Sequence, residues 1–179
     1  MMRVFAALPM PEHVLDAVER WMEPLRESNP GLKWVRRDHQ HITVRFLGEV
    51  DEKRVEQLRL AASRCNPGGI PFVLDRVDVF RRGSGGPATV LWLGGIFGSG
   101  VMELAKALGR VPDHHGRTSD SRGFVPHLTV ARRRRRGPAI PRGLPPLSPV
   151  EGVAEELVLY SSRLTSSGPR YNRLHVCRL

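Results

Sequence analysis

The sequence predicts an α+β fold built from two related lobes that face each other, and three observations carry that expectation. Short segments of alternating polar and apolar residues are interspersed with segments whose apolar residues recur every three or four positions. Strands and helices mixed in this way, with hairpin-like connections, favour antiparallel sheets. A short pattern also occurs twice, as His41-Ile42-Thr43-Val44 and as His127-Leu128-Thr129-Val130. With seven histidines among 179 residues, chance supplies only about 0.2 His-x-Thr triplets, so two of them mark an internal repeat. The copies fall one in each half of a chain short enough to form a single domain over residues 1–179.

Arg3 to Leu8 reads as a first strand, closed by Pro9 and Pro11. Val14, Leu15, Val18, Trp21, Met22 and Leu25 lie on one stripe and predict an amphipathic helix over 12–27, with Pro24 set to kink or fray its last turn. Lys33 to Val35 is a short strand, and the first motif strand runs from His41 to Leu47, where Gly48 stops it. Asp51 is a natural N-cap for a second helix reaching Cys65. Ile70 to Phe80 and Thr89 to Leu93 predict a strand pair joined by the Gly-rich 81–87 connection, while the glycines of 94–100 read as turns. A third helix follows over 100–109, with a glycine at its C-terminal end. Residues 110–123 read as a mobile basic surface loop, and the second motif strand begins at Phe124. The segment 132–149, with five consecutive arginines and several prolines, reads as a linker or flap. Val153 to Tyr160 and Tyr171 to Leu179 close the fold as a strand pair around 161–169.

In a strand, residues two apart share a face, so each histidine stands beside its own threonine. Two imidazoles suit general acid–base chemistry near neutral pH. Opening a cyclic phosphodiester by water needs a base on the water and an acid on the departing oxygen. Histidines on opposite sides of the phosphorus would supply both. Thr43 and Thr129 could donate to the non-bridging oxygens, and Arg132 adds a permanent positive charge. The scheme requires neither metal nor cofactor. His39 with His41, and His114 with His115, lack an acidic neighbour placed as a further metal ligand. No Gly-x-Ser-x-Gly elbow and no Gly-Lys-Ser/Thr phosphate loop occurs. The formal charge of +10 points to a polyanionic partner, RNA or DNA first. The run Arg132 to Arg136 is either a solvated basic loop or a phosphate-contacting one. Of the aromatics flanking the motifs, Phe124 is the expected base stacker, whereas Trp34 and Phe46 are expected in the core. Cys65 and Cys177, in apolar contexts, read as reduced thiols of a cytoplasmic protein, and the apolar run at 4–8 is too short for a signal peptide or membrane span.

The motif segments 41–50 and 124–132, together with Arg3 to Ala6, Lys33 to Val35, Val90 to Gly94 and Leu157 to Ser162, resemble the two-histidine phosphoesterase superfamily. Within it they are most similar to the RNA 2′,3′-cyclic phosphodiesterases, historically called 2′-5′ RNA ligases. The resemblance implies a bilobal α+β fold with an active cleft between two antiparallel sheets. It implies hydrolysis of a terminal RNA 2′,3′-cyclic phosphate to a 2′-phosphate by a monomer without metal or nucleotide cofactor. Joining of tRNA halves through a 2′-5′ bond is the expected reverse sense. His41 and His127 match the catalytic positions, with His41 as acid and His127 as base, while Thr43, Thr129 and Arg132 match substrate-contacting ones. His39 and the extended arginine run depart from the family pattern. Two other readings stay open: a phosphodiesterase on a small cyclic nucleotide, and a non-catalytic single-strand RNA-binding module.

Overall fold

Alternation along the strands decides which side chains face the core, and pairing between strands decides which motifs meet. The computed structural model describes residues 1–83, 85–119, 123–166 and 168–179. Its elements are β1 (Met2–Pro9), α1 (Glu12–Ser28), β2 (Lys33–Trp34), β3 (His41–Val50), α2 (Glu52–Arg64) and β4 (Ile70–Arg81). They continue as β5 (Ala88–Phe97), α3 (Gly100–Gly109), β6 (Leu128–Arg132), β7 (Val150–Ala154), β8 (Glu156–Thr165) and β9 (Gly168–Arg178), with a 3-10 turn at Arg37–His39. Every strand belongs to one antiparallel sheet, ordered β7-β4-β5-β6-β3-β1-β8-β9, with β2 also paired to β6. The expectation of two separate sheets is thereby corrected. The halves β7-β4-β5-β6 and β3-β1-β8-β9 are joined where Ile42 pairs with Leu128.

Chain connectivity explains the shape. Glu155 alone separates β7 from β8, yet six strand-to-strand steps lie between them in the sheet, about 29 Å if the sheet were flat. One residue spans that interval only if the sheet curls back on itself, and it forms a half-barrel. All three helices bury their stripes in one core with one face of the sheet. Val14, Val18 and Met22 of α1, Leu58 of α2, and Val101, Leu104 and Leu108 of α3 share it with Val4, Ala6, Leu8, Ile42, Leu91, Leu93, Leu128 and Val130. The alternate residues Arg3, Phe5, His41, Thr43 and Thr129 point to the other face. Among the described residues no helix is long and apolar enough to cross a membrane.

Several local expectations are corrected. Pro24, expected to kink or fray the last turn of α1, lies inside a helix that reaches Ser28 and closes with the Asn29 amide and side chain both donating to the Leu25 carbonyl. Asp51 caps α2 as expected, accepting from the Arg54 amide at 2.9 Å, a contact worth about 1 kcal/mol. Gly94 and Gly95 lie inside β5 and not in a turn. A Cβ at Gly95 would sit 2.0 Å from the Val73 carbonyl oxygen, so only glycine lets β4 approach so closely. The glycine ending α3 likewise serves close approach: a Cβ on Gly109 would meet the Ser119 carbonyl at 2.1 Å. Gly48 does not stop β3. At φ 78° it occupies a bulge opposite Val4, and the strand continues to Val50. The expected 153–160 strand is two strands, and the 161–169 interval is mostly the β8–β9 hairpin. Segment 132–149 carries no regular element beyond the end of β6, yet it is pinned: Ile140 and Leu147 are buried, and Trp21 Nε1 donates to the Pro145 carbonyl. Of the loop over 110–123, residues 120–122 lie outside the described residues, as does residue 84 of the 81–87 connection.

Candidate active site

Antiparallel pairing of Ile42 with Leu128 fixes the relation between the two motifs. In that register His41 stands opposite Thr129, and Thr43 stands opposite His127. The four polar side chains therefore share one face, related by the local two-fold that runs between paired strands, with diagonal neighbours about 7–8 Å apart. All four line a pocket of ≈ 550 Å³. A second regularity follows each threonine. On β3, Ala6 pairs with Arg45 and Ala7 with Thr43, leaving Val44 as an extra residue. On β6, Leu91 pairs with Ala131 and Trp92 with Thr129, leaving Val130 extra. A bulge resets the inward–outward alternation, so the residue five beyond each histidine returns to the pocket. That residue is Phe46 in one half and Arg132 in the other, and both line the cavity.

Each imidazole is held from behind by aromatics of the next two strands. Phe5 of β1 stacks on His41 at 5.1 Å between centroids, with Tyr160 of β8 behind it at 6.1 Å from His41. Phe80 of β4 meets His127 edge-on at 4.8 Å, and Trp92 of β5 lies at 5.8 Å. Tyr171 of β9 adds a further wall beside His41 at 5.6 Å. His127 Nδ1 is 2.7 Å from the Val125 carbonyl. A carbonyl only accepts, so Nδ1 carries the proton and Nε2 is left with its lone pair. His41 has the matching hydrogen bond to the backbone of His39, also two residues earlier.

The pocket is positive, and among the described residues no carboxylate lines it: Arg3, Lys33 and Arg132 stand there with the two histidines and His39. Burial, then the charge of His39, then those of Arg132 and His127 push the His41 imidazole down to about 4, against the pull of the His39 backbone. Burial first, and Arg132 after it, also lower His127, partly offset by the Val125 carbonyl. Both rings are thus poised neutral in a cavity that would welcome an anion, and an anion placed between them would raise both. Burial raises the Tyr160 and Tyr171 phenols, keeping them protonated and uncharged.

Of the residues expected from sequence, His41, Thr43, His127, Thr129 and Arg132 come together here. Phe124 does not. It precedes β6, is half-buried, and packs against the hydrophobic core. Phe46 instead faces the cavity, 42% exposed with the Arg3 guanidinium 4.9 Å above its ring; Trp34 packs on the core as expected. Arg3, Lys33 and Tyr171 were not singled out, because their place in the pocket depends on pairing across β1, β2 and β9. A larger cavity, ≈ 940 Å³ near Pro9, Phe72 and Ile96, carries no comparable chemistry: its one histidine, His13, donates to the Glu151 carbonyl. Among the described residues no group of three or more His, Cys, Asp or Glu side chains is arranged to hold a metal ion.

Comparison with known proteins bears on this geometry. Residues 8–92 match the family model described as LigT-like phosphoesterase, a span that holds the first motif and ends before the second. The RNA 2′,3′-cyclic phosphodiesterase of Thermotoga maritima is 29% identical, the alignment covering 99% of this chain and 95% of that protein. The RNA 2′,3′-cyclic phosphodiesterase of Escherichia coli is 28% identical, with 96% and 93% covered. The crystal structure of E. coli LigT complexed with 3′-AMP superposes with a TM-score of 0.78 at 26% identity, covering 99% of this chain and 97% of that one. TT0787 of Thermus thermophilus superposes with a TM-score of 0.76 at 28% identity, covering 99% and 98%.

Proposed function

We propose that this chain is a LigT-like phosphoesterase, as its similarities suggest, and that it hydrolyses the 2′,3′-cyclic phosphate at an RNA end, leaving a 2′-phosphate. One observation carries the reading: two His-x-Thr motifs, 86 positions apart (41 to 127), lie side by side in antiparallel register and line one cationic pocket. The names of the relatives supply the substrate class.

In this scheme the cyclic phosphate sits between the imidazoles. His127 Nε2 takes a proton from water as the water oxygen bonds to phosphorus. The bond from phosphorus to the 3′ oxygen breaks, and His41 delivers a proton to that oxygen. Thr43 and Thr129 hydroxyls and the Arg132 guanidinium stabilise the charge that builds on the non-bridging oxygens. Phe46 offers its face to the terminal base. His41 loses its proton easily in the free protein, so the bound phosphate itself must raise its pKa before it can act as the acid. No metal ion or nucleotide cofactor is needed at any step, and joining two RNA ends through a 2′-5′ bond would be the reverse sense.

The test is incubation of an oligonucleotide ending in a 2′,3′-cyclic phosphate, in a strong chelator, with the product isomers separated. A 2′-phosphate product is expected. A 3′-phosphate would reverse which oxygen His41 protonates, and no turnover of this or any small cyclic nucleotide would remove the enzymatic reading.

A further inference from the structure

The reaction uses Arg132 but not the three arginines that follow two residues on. We propose that Arg134, Arg135 and Arg136 form a preorganised track for the phosphate backbone of single-stranded RNA leading away from the reacting end. This rests on the RNA-end reading above and extends it to the length of the substrate.

The turn is built, not loose. The Arg133 amide donates to the Thr89 carbonyl at 2.9 Å and the Gly137 amide to the Arg134 carbonyl at 3.0 Å. Arg133 Nε donates to the Gly137 carbonyl at 3.1 Å, so this one arginine is committed to folding the turn. Beyond it, Pro138 rests on Gly31, where a Cβ would lie 2.7 Å from its ring, and Ile140 and Leu147 anchor the segment in the core. A turn fixed in this way loses little freedom when it binds a partner.

The three side chains it presents are exposed and, among the described residues, have no carboxylate partner. Elsewhere on this surface pairing is common: Arg26 meets Glu19, Arg36 meets Asp38, Arg37 meets Glu12 and Asp16, Arg59 meets Glu56, and Arg173 meets Glu156. Three adjacent unpaired guanidinium groups repel one another until an anion arrives. Position selects the anion. Arg132 lies in the pocket, paired across the sheet with Lys33, and the turn begins two residues beyond it, within about 15 Å along the chain. A strand whose terminal phosphate occupies the pocket therefore meets the turn with its next backbone phosphates. Such contacts strengthen binding without reading base sequence.

The experiment compares the wild type with Arg134→Ala/Arg135→Ala/Arg136→Ala and with the same three positions changed to Lys, which keeps the charge. Binding of an octanucleotide ending in a 2′-phosphate is followed by fluorescence anisotropy across a salt series. Turnover of adenosine 2′,3′-cyclic phosphate is followed beside it. The alanine variant should bind the octanucleotide at least ~10-fold more weakly near 0.1 M salt and lower the slope of log Kd against log salt by about 2. The lysine variant should keep most of both, and mononucleotide turnover should change less than about twofold in either. Octanucleotide affinity within twofold of wild type, or an equal loss for octanucleotide and mononucleotide, would overturn the track. Failure of the wild type to turn over any cyclic substrate would instead defeat the activity reading, while the anisotropy still decides the track.

Discussion

The half β3-β1-β8 and the half β6-β5-β4 build the same site from the same plan and then differ in two places. Each supplies a histidine hydrogen-bonded to the backbone two residues before it, a threonine beside it, a bulge after the threonine, and two aromatics behind the ring. The first difference lies in how the rings are held. His41 lies flat on Phe5, with Tyr171 as an extra wall and His39 close by, whereas His127 meets Phe80 edge-on. The more deeply desolvated ring is the one whose pKa falls to about 4. The second difference is the residue five beyond the histidine, Phe46 against Arg132. In the proposed scheme a symmetric frame would grip an asymmetric substrate, with an aromatic face on one side for a base and a guanidinium on the other for phosphate.

The largest effects should come from what the halves share. His41→Ala and His127→Ala should each lower kcat by at least ~10²-fold, measured on a cyclic-phosphate-ended oligonucleotide; full activity in both would abolish the shared plan. Next come the residues at which the halves diverge. Arg132→Ala should lower kcat about 10- to 100-fold, since charge-assisted hydrogen bonds carry about 1.5–3 kcal/mol. Phe46→Ala should raise KM about 10-fold with little change in kcat, because base stacking contributes about 1–3 kcal/mol. If the two variants shift the same parameter, the division into a base side and a phosphate side is wrong.

The pH dependence separates the two rings. With His41 as the acid, activity falls as pH rises past its pKa, and with His127 as the base it falls as pH drops below its own. The profile of kcat/KM reports the free protein, where both values are lowered. It should therefore peak at more acidic pH than the profile of kcat, where bound phosphate has raised them. Coincident profiles would mean that phosphate does not raise these rings.

The last effect is on stability, not on rate. His41 binds its proton more weakly folded, at about 4, than unfolded, at about 6.5. Stability is therefore highest above the unfolded value and declines as pH falls through that interval, by up to about 3 kcal/mol. His41→Gln removes this titration, so its melting temperature relative to wild type should rise between pH 7.5 and pH 4.5. A constant difference would show that His41 is not desolvated as described.

Much of this comparison was legible in the residues. The His-x-Thr repeat identified both strands, their shared face and the threonine partners, because a period of two needs only local sequence. Phe46 was assigned to the core because the Val44 bulge, which inverts the alternation downstream of Thr43, belongs to a strand pair and not to a strand. Phe124 was assigned to the site, but it precedes β6 and packs against the core. Arg3, Lys33 and Tyr171 needed knowledge of which strands neighbour the motifs. The single curled sheet was hidden because Glu155 was read inside one strand over 153–160, though it links two strands that lie far apart in sheet order. Likewise the glycines of β5 looked like turn residues until β4 was seen pressing against Gly95.

The claim on which the whole account turns is that both imidazoles grip one phosphorus. A crystal structure of the protein with a nucleoside–vanadate mimic of the five-coordinate state tests it directly. The expected result has one ring nitrogen of His41 and Nε2 of His127 within about 3 Å of different oxygens on the same vanadium, with Thr43 and Thr129 on the equatorial oxygens. A vanadate held by one histidine alone, or bound outside the pocket, would contradict it.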